Sequence, residues 1–299
     1  MLTHKTVFLE LAVDFLNVQA NAWYVDATFG GGGHSKEIIA RGGKVLAFEY
    51  DSVTYKEVLP AWQKEIATGQ LILVQENFAH WQKTITQLPQ FGADFKFAGA
   101  LFDLGTNSDQ LQSGARGLSF AEDGPLDMRL DANLGVTARD LLLALSEKQI
   151  AQMLFEAGGE QEAKRLARAI VTYRQQKGEQ AFLHSRELSD LISKNKHSRS
   201  HLHPATKTFQ ALRITVNGEL DNLETALPQT FASLQLGGRL VTIAFHEGED
   251  RPVKHFMQNL SQTGRAQLLT KKPIVPSDTE LENPRARSAK LRALEKLKN

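Results

Sequence analysis

Four consecutive glycines, Gly30 to Gly33, lie between an apolar, β-prone run (Trp23 to Ala27) and a helix-like stretch (Ser35 to Arg41). Without a Cβ in the way, such a loop brings backbone N–H groups close to a ligand. A second apolar run, Lys44 to Phe48, ends in Glu49, whose carboxylate can accept both hydroxyl protons of a ribose. Strand, glycine loop, helix, strand and acid, in that order, are the layout of a nucleotide-binding βαβ unit. The pattern is not that of a dinucleotide site. Gly-x-Gly-x-x-Gly fails in both frames, with Ser35 or Lys36 in the third glycine position. That glycine permits tight helix–strand packing beneath a pyrophosphate. No Gly-Lys-Ser/Thr follows, which argues against Walker-type phosphate binding. S-Adenosylmethionine has an adenosine and an amino-acid end but no pyrophosphate, and a looser glycine loop followed by an acid suits it.

The elements that must position these residues continue the alternation. The pattern predicts a helix over Val53 to Ala67, a strand over Leu71 to Val74 ending near Phe78, a helix over Trp81 to Leu88, and a strand over Phe97 to Phe102 ending in Asp103. Alternating strands and helices imply an α/β fold with a parallel sheet and a ligand at the strands' C-terminal edge. The glycine loop, Glu49, Phe78 and Asp103 all fall at that edge. From about Ser108 to Pro204 the strand pattern stops. Helices are predicted over Thr137 to Leu145, Lys148 to Phe155, Gln161 to Gln176 and Ser185 to Lys194. Further helices follow over Thr208 to Val216 and Glu219 to Leu234, the second stopped by Gly237-Gly238. A buried strand over Arg239 to Phe245 and a helix over Asp250 to Gln262 complete the pattern.

The chain has 299 residues, 41% hydrophobic and 23% charged, an ordinary globular balance. There is no cysteine, so disulfides and thiolate metal sites are excluded. No apolar run reaches membrane-spanning length, and Met1 to Lys5 lack the apolar core of a signal peptide. A cytoplasmic protein with no membrane partner is expected. His197, His201 and His203 cluster without thiolates or a defined ligand spacing, and His-Glu-x-x-His is not met at His246-Glu247, so no metal is expected. The net charge of +1 conceals an uneven distribution. Residues 164–213 carry 11 Lys/Arg against 3 Asp/Glu, whereas residues 1–163 carry 12 against 21. The basic stretch is either a phosphate-binding surface or a solvated helix face.

Three longer blocks stand out. Residues 116–131 read Arg-Gly-Leu-Ser-Phe-Ala-Glu-Asp-Gly-Pro-Leu-Asp-Met-Arg-Leu-Asp, and residues 203–216 read His-Pro-Ala-Thr-Lys-Thr-Phe-Gln-Ala-Leu-Arg-Ile-Thr-Val. Residues 283–292 read Asn-Pro-Arg-Ala-Arg-Ser-Ala-Lys-Leu-Arg. With the glycine loop, these blocks resemble the bacterial small-subunit ribosomal RNA cytosine-N4 methyltransferase family, from about His4 to about Lys296. The resemblance implies a class I, Rossmann-like methyltransferase sheet in residues 1–110 and 205–299, with a helical substrate-recognition domain inserted at 111–204. It implies methyl transfer from S-adenosylmethionine to the N4 amine of a cytidine in the decoding region of 16S rRNA, within the small ribosomal subunit. By position, Gly32, Gly33, His34, Glu49, Phe78, Asp103 and Gln110 would hold the cofactor.

Cytosine N4 is a poor nucleophile because its lone pair is delocalised into the ring, so acceptors must stabilise the charge that develops on it. Asp103, Asn107 and backbone carbonyls after the fourth strand are the candidates, and the pattern names no general base. The absence of cysteine excludes the thiolate attack used to methylate cytosine carbon 5. Arg165, Arg168, Lys196, Arg199 and Lys207 are expected to grip RNA phosphates. A homodimer is a possible assembly. The chain departs from the family at Glu49, where an Asp is usual, at Gly105-Thr106-Asn107-Ser108, and at Ala244 to Arg251, where Glu247 adds a negative charge. The changes at Thr106-Asn107 and Glu247-Gly248 are the support for a second reading, a non-catalytic RNA-binding or ribosome-assembly protein that keeps the fold. Cofactor affinity separates the two.

Overall fold

A computed structural model describes residues 6–92, 94–105, 116–197, 203–277, 280–281 and 283–298. The chain divides into two units, one of residues 1–105 with 221–299 and one of residues 106–220. The return from the second unit to the first thus falls at Asp221, where the sequence pattern suggested about 205.

Among the described residues, the first unit holds a seven-stranded sheet of order β3-β2-β1-β4-β5-β7-β6. Its strands are β1 (Trp23–Asp26), β2 (Lys44–Phe48), β3 (Leu71–Val74), β4 (Phe97–Asp103), β5 (Leu234–Ala244), β6 (Ala266–Leu268) and β7 (Lys290–Lys296). β3, β2, β1, β4 and β5 run parallel. Their side chains alternate between two buried faces. Val25, Leu46, Phe48, Ala100, Phe102 and Leu240 face one core, shared with the helices Trp81–Gln87, Glu219–Ser233 and Glu247–Gln262. Tyr24, Val45, Ala47, Leu101, Val241 and Ile243 face the other, shared with Leu9–Leu16 and Gly33–Ala40. A sheet covered on both faces explains why its strands read as continuous apolar runs. The strand order reverses between β1 and β4, and such a switch point opens a crevice at the strands' C-terminal ends.

The second unit is helical among its described residues, with Ala138–Ala144, Glu147–Glu156, Ala163–Lys177, Ser185–Asn195 and Thr206–Asn217 around one core. Thr137 and Ser146 start their helices with capping boxes. The Asn217 amide ties two of the sequence blocks together, accepting from Leu130 N–H at 2.8 Å and donating to Met128 C=O at 2.9 Å.

Four features differ from the sequence expectation. The helix expected over 53–67 is broken into Ser52–Val58, a 3₁₀ turn Leu59–Trp62 and Gln63–Ala67, because Pro60 has no N–H to continue an α-helical ladder. Gly237-Gly238 is not a helix stop. It lies inside β5, with Gly237 at φ +75°, beside a register shift against β4. The preceding helix ends at Ser233, where the buried Lys296 ammonium donates to the Phe231, Ala232 and Leu234 carbonyls at 3.0, 3.3 and 2.8 Å. The tail block supplies β7, which runs antiparallel between β5 and β6, so the sheet is mixed. Finally, the helix Leu9–Leu16, not anticipated, covers one face.

Candidate functional site

Every strand end at the switch point carries one of the singled-out residues. The glycine loop follows β1, Glu49 follows β2, Phe78 follows β3 by way of the Asn77 cap, and Asp103 closes β4. All lie in the first unit.

Glu49 is the electrostatic centre of this edge. Its Oε2 accepts from Gly30 N–H at 2.9 Å and its Oε1 from Asp51 N–H at 2.8 Å. The carboxylate thereby fastens the glycine loop to the turn that begins the Ser52 helix. A carboxylate has about four acceptor positions, so two remain for hydroxyl donors. Burial pushes its pKa up to about 7; the Asp51 N–H bond opposes this, and the charges of Asp51 and Asp26 add to it. Asp26, at the end of β1, is raised to about 6, again chiefly by burial, against hydrogen bonds from Ser35 Oγ at 2.7 Å and Thr28 N–H at 3.1 Å. Thr28 turns its hydroxyl oxygen to Asp103, accepting the Asp103 N–H at 2.7 Å. Asp26 and Thr28 therefore lock the β1 and β4 ends together. Sequence reasoning gave them no role, although Asp26-x-Thr28 ahead of a glycine loop was there to be read.

The glycines divide their tasks. Gly30 has φ +52° and open space where a Cβ would stand. Gly32 has φ +76°, and a Cβ there would lie 2.3 Å from the Trp62 ring; a Cβ on Gly33 would lie 2.0 Å from Thr6 Oγ1. The Gly32 N–H donates to Phe29 C=O at 2.7 Å. Gly32 is thus held by the turn and by ring packing, not presented as the ligand donor the sequence suggested. The helix Gly33–Ala40 begins immediately after it, and the first-turn N–H groups of a helix form an anion-binding end.

His34 is buried, with Nδ1 3.7 Å from Asp103 Oδ2. Phe78 is half-buried and meets Phe102 edge to face at 5.5 Å. Beyond β5, His246 Nε2 lies 3.1 Å from Glu249 Oε1, while Glu249 Oε2 accepts the Phe245 N–H at 2.8 Å. Leu104 N–H donates to Ile243 C=O at 2.9 Å, which keeps the β4 exit against β5. Asn107 and Gln110 lie outside the described residues.

The donor set suits S-adenosylmethionine: a buried carboxylate with acceptor positions left, a half-buried ring two strands from the switch point, an acid at the β4 end, and clear space over Gly30.

In the second unit the expected RNA-binding cations differ in character. Arg168 is 79% exposed and only 3.5 Å from Glu147. Arg165 pairs with Glu162 at 3.1 Å and touches His197. Lys207 Nζ donates to Gly159 C=O at 2.8 Å. Lys196 corrects the expectation. Its ammonium is 7% exposed, pairs with the buried Glu160 at 2.6 Å and donates to Pro204 C=O at 3.1 Å, so it is an internal strut rather than a surface cation. Arg199 and His201 lie outside the described residues.

A profile described as the MraW methylase family matches residues 1–297. Ribosomal RNA small subunit methyltransferase H of Afipia carboxidovorans is 39% identical over 313 residues, spanning 99% of this chain and 91% of that protein. The protein of the same name from Ralstonia pickettii is 40% identical over 319 residues, spanning 99% of this chain and 97% of that one. Among solved structures, an rRNA methylase from Streptococcus thermophilus covers 100% of this chain and 99% of that chain at TM-score 0.47 and 12% identity; at that distance nothing about the site is carried over.

Proposed function

The chain belongs to the MraW methylase family, and from that premise we propose that it transfers a methyl group from S-adenosylmethionine to the N4 amine of a cytidine in small-subunit ribosomal RNA. The relatives' names support the rRNA substrate, and the first unit supports the cofactor. The observation that carries the reading is one shared edge. The glycine loop, Glu49, Phe78 and Asp103 stand at the C-terminal ends of four neighbouring parallel strands on either side of the switch point.

When bound, the cofactor supplies an electrophilic methyl group on a sulfonium. Glu49 would take the two ribose hydroxyls on its remaining acceptor positions, and the Phe78 ring would lie on the adenine. The first-turn N–H groups of Gly33 and His34 would meet the amino-acid carboxylate. Asp103 faces two tasks that its position at the β4 end allows. It attracts an ammonium, and it accepts a hydrogen bond from the N4 amine so that the nitrogen can pyramidalise as charge develops. The resemblance assigns Gln110 to the cofactor, and Asn107, where the chain departs from the family, is proposed as a second acceptor for the N4 amine. Much of the rate would come from holding N4 in line with the methyl group.

In this reading the second unit recognises RNA, with Arg165, Arg168, Arg199 and Lys207 toward phosphate. The substrate is the small ribosomal subunit, and the setting is the cytoplasm. No helix among the described residues is long and apolar enough to cross a membrane. A homodimer is the proposed assembly, read by light scattering.

The test is tritium transfer from methyl-labelled cofactor to small subunits lacking the modification, followed by nucleoside analysis. Label in N4-methylcytidine, abolished by Asp103→Ala, is expected. Label in another nucleoside, or near-normal turnover by Asp103→Ala, refutes the assignment.

A further inference from the structure

We propose that the exposed imidazole of His203 is a stacking platform for an unpaired base of the substrate RNA; this rests on the RNA reading above. Three rings stand in series in the second unit. Phe209, in the helix Thr206–Asn217, is 4% exposed. Phe120 meets it edge-on at 5.5 Å and 87°, and is itself half-buried. His203 lies flat on Phe120, with ring centroids 4.2 Å apart and planes 16° apart, and is exposed. One face of the imidazole is covered by Phe120, so the exposure belongs to its opposite face and edge.

The ring is also fixed before any ligand arrives. His203 Nδ1 accepts the Ala205 N–H at 3.2 Å, and the His203 carbonyl accepts the Thr206 N–H at 3.0 Å. An accepting Nδ1 leaves Nε2 as the ring's donor. An aromatic face already immobilised loses little side-chain freedom on binding. Lys196 completes the support from below, because its ammonium donates to the carbonyl of Pro204, the next residue, while paired with Glu160.

The surroundings select the partner. The exposed Lys194 precedes His203 in sequence, Lys207 follows four residues after it, and residues 194–207 contain no Asp or Glu, Lys196 being committed to Glu160. An exposed ring face with lysines on either side of it in sequence fits a nucleotide, whose base has a π-face and whose backbone is anionic. Any base offers such a face, so the platform adds affinity for unstacked RNA with little preference for its sequence. The competing explanation is that the rings only fasten residues 116–120 to the helix.

The experiment is fluorescence anisotropy on the full chain, with a fluorescein-labelled oligocytidylate and an equally long abasic ribose-phosphate oligomer, across a salt series at pH 8. The wild type is expected to bind the oligocytidylate about tenfold more tightly than the abasic oligomer. His203→Asn keeps an acceptor for the Ala205 N–H but removes the ring. It is expected to bind both oligomers alike, with the salt slope of the wild type, because stacking releases no counterions. His203→Tyr restores a ring and with it the preference. Retention of the preference by a folded His203→Asn overturns the platform. A wild type that binds both oligomers equally overturns it without any variant and leaves the RNA reading standing. A wild type that binds neither overturns both.

Discussion

Glu49 gives the sharpest test of the cofactor site, because its ionisation and its ligand are linked. Hydroxyl donors favour the charged carboxylate, and burial holds Glu49 at about 7. One pH unit below that value about nine-tenths of the carboxylates are protonated, so cofactor affinity should fall about tenfold, or ~1.4 kcal/mol, between pH 8 and pH 6. Binding at pH 7 should release about half a proton. Calorimetry in buffers of different ionisation enthalpy measures both quantities. The cofactor's own amino group titrates equally against wild type and Glu49→Gln, so the difference between the two proteins isolates Glu49. Identical pH dependence in both proteins refutes the argument. The same shift has a consequence for the cofactor-free protein. A folded value of about 7 against an ordinary 4.5 means that the folded state keeps a proton which the unfolded state releases. The contribution is therefore present in full below pH 4.5 and lost as pH rises through about 7, by on the order of 3 kcal/mol. Glu49→Gln should flatten that stretch of the melting-temperature profile.

Three further outcomes follow from contacts described above. Gly32→Ala drives a Cβ to 2.3 Å from Trp62 at φ +76° and should lower the urea midpoint severely, whereas Gly30→Ala, at φ +52° with clear space, should lose only the ~1–2 kcal/mol of left-handed strain; equal losses contradict the division of tasks in the loop. Arg292→Met leaves Asp250 buried without its two guanidinium bonds of 2.7 and 2.9 Å, with only Lys290 at 3.4 Å as partner, a loss below the ~3–5 kcal/mol of a fully uncompensated buried charge, read by denaturation and largely recovered when Asp250→Leu is added. Lys196→Met should reduce stability and leave the salt slope of RNA binding nearly unchanged, while Arg168→Glu should lower that slope at unchanged melting temperature; the reverse pattern would return Lys196 to the surface.

The fold was legible where the signal is local. β1 to β5 are apolar runs whose faces alternate into two cores, and the glycine loop, Glu49 and Asp103 follow directly in sequence from the strands that place them. What the sequence could not disclose are partners far away along the chain. Glu49 meets Gly30 N–H across 19 residues, and Lys296 satisfies the end of the Glu219 helix across 65. A pattern that sees only neighbours assigns the helix stop to the nearest glycines and reads the tail as a charged motif. β7 carries Arg292, Glu295 and Lys296, too many charges for an interior strand by periodicity alone. It is admitted because Arg292 has Asp250, Glu295 has Arg239, and Lys296 has three carbonyls.

The same reasoning revises the basic stretch. Counted alone, residues 164–213 have a large positive excess, but the acids that neutralise part of it stand just outside the window. Glu160 takes Lys196, Glu162 takes Arg165 and Glu219 takes Arg213 in a two-bond pair at 2.8 and 3.0 Å. Arg174 is drawn inward as well, donating to the Leu142, Leu143 and Leu145 carbonyls where the helix Ala138–Ala144 ends. Charge density along a sequence therefore overstates the field a polyanion meets. What remains for phosphate are the cations held loosely, of which Arg168 at 79% exposure is the clearest. Lys164, Lys177, Arg186 and Lys194 are exposed as well, and to the salt-dependent attraction such cations supply, a stacking ring adds affinity that salt does not screen. If the salt slope of wild-type binding matched the full formal excess of the segment, the internal pairs named here would have to open on RNA, and the Lys196 strut would be the first to give way.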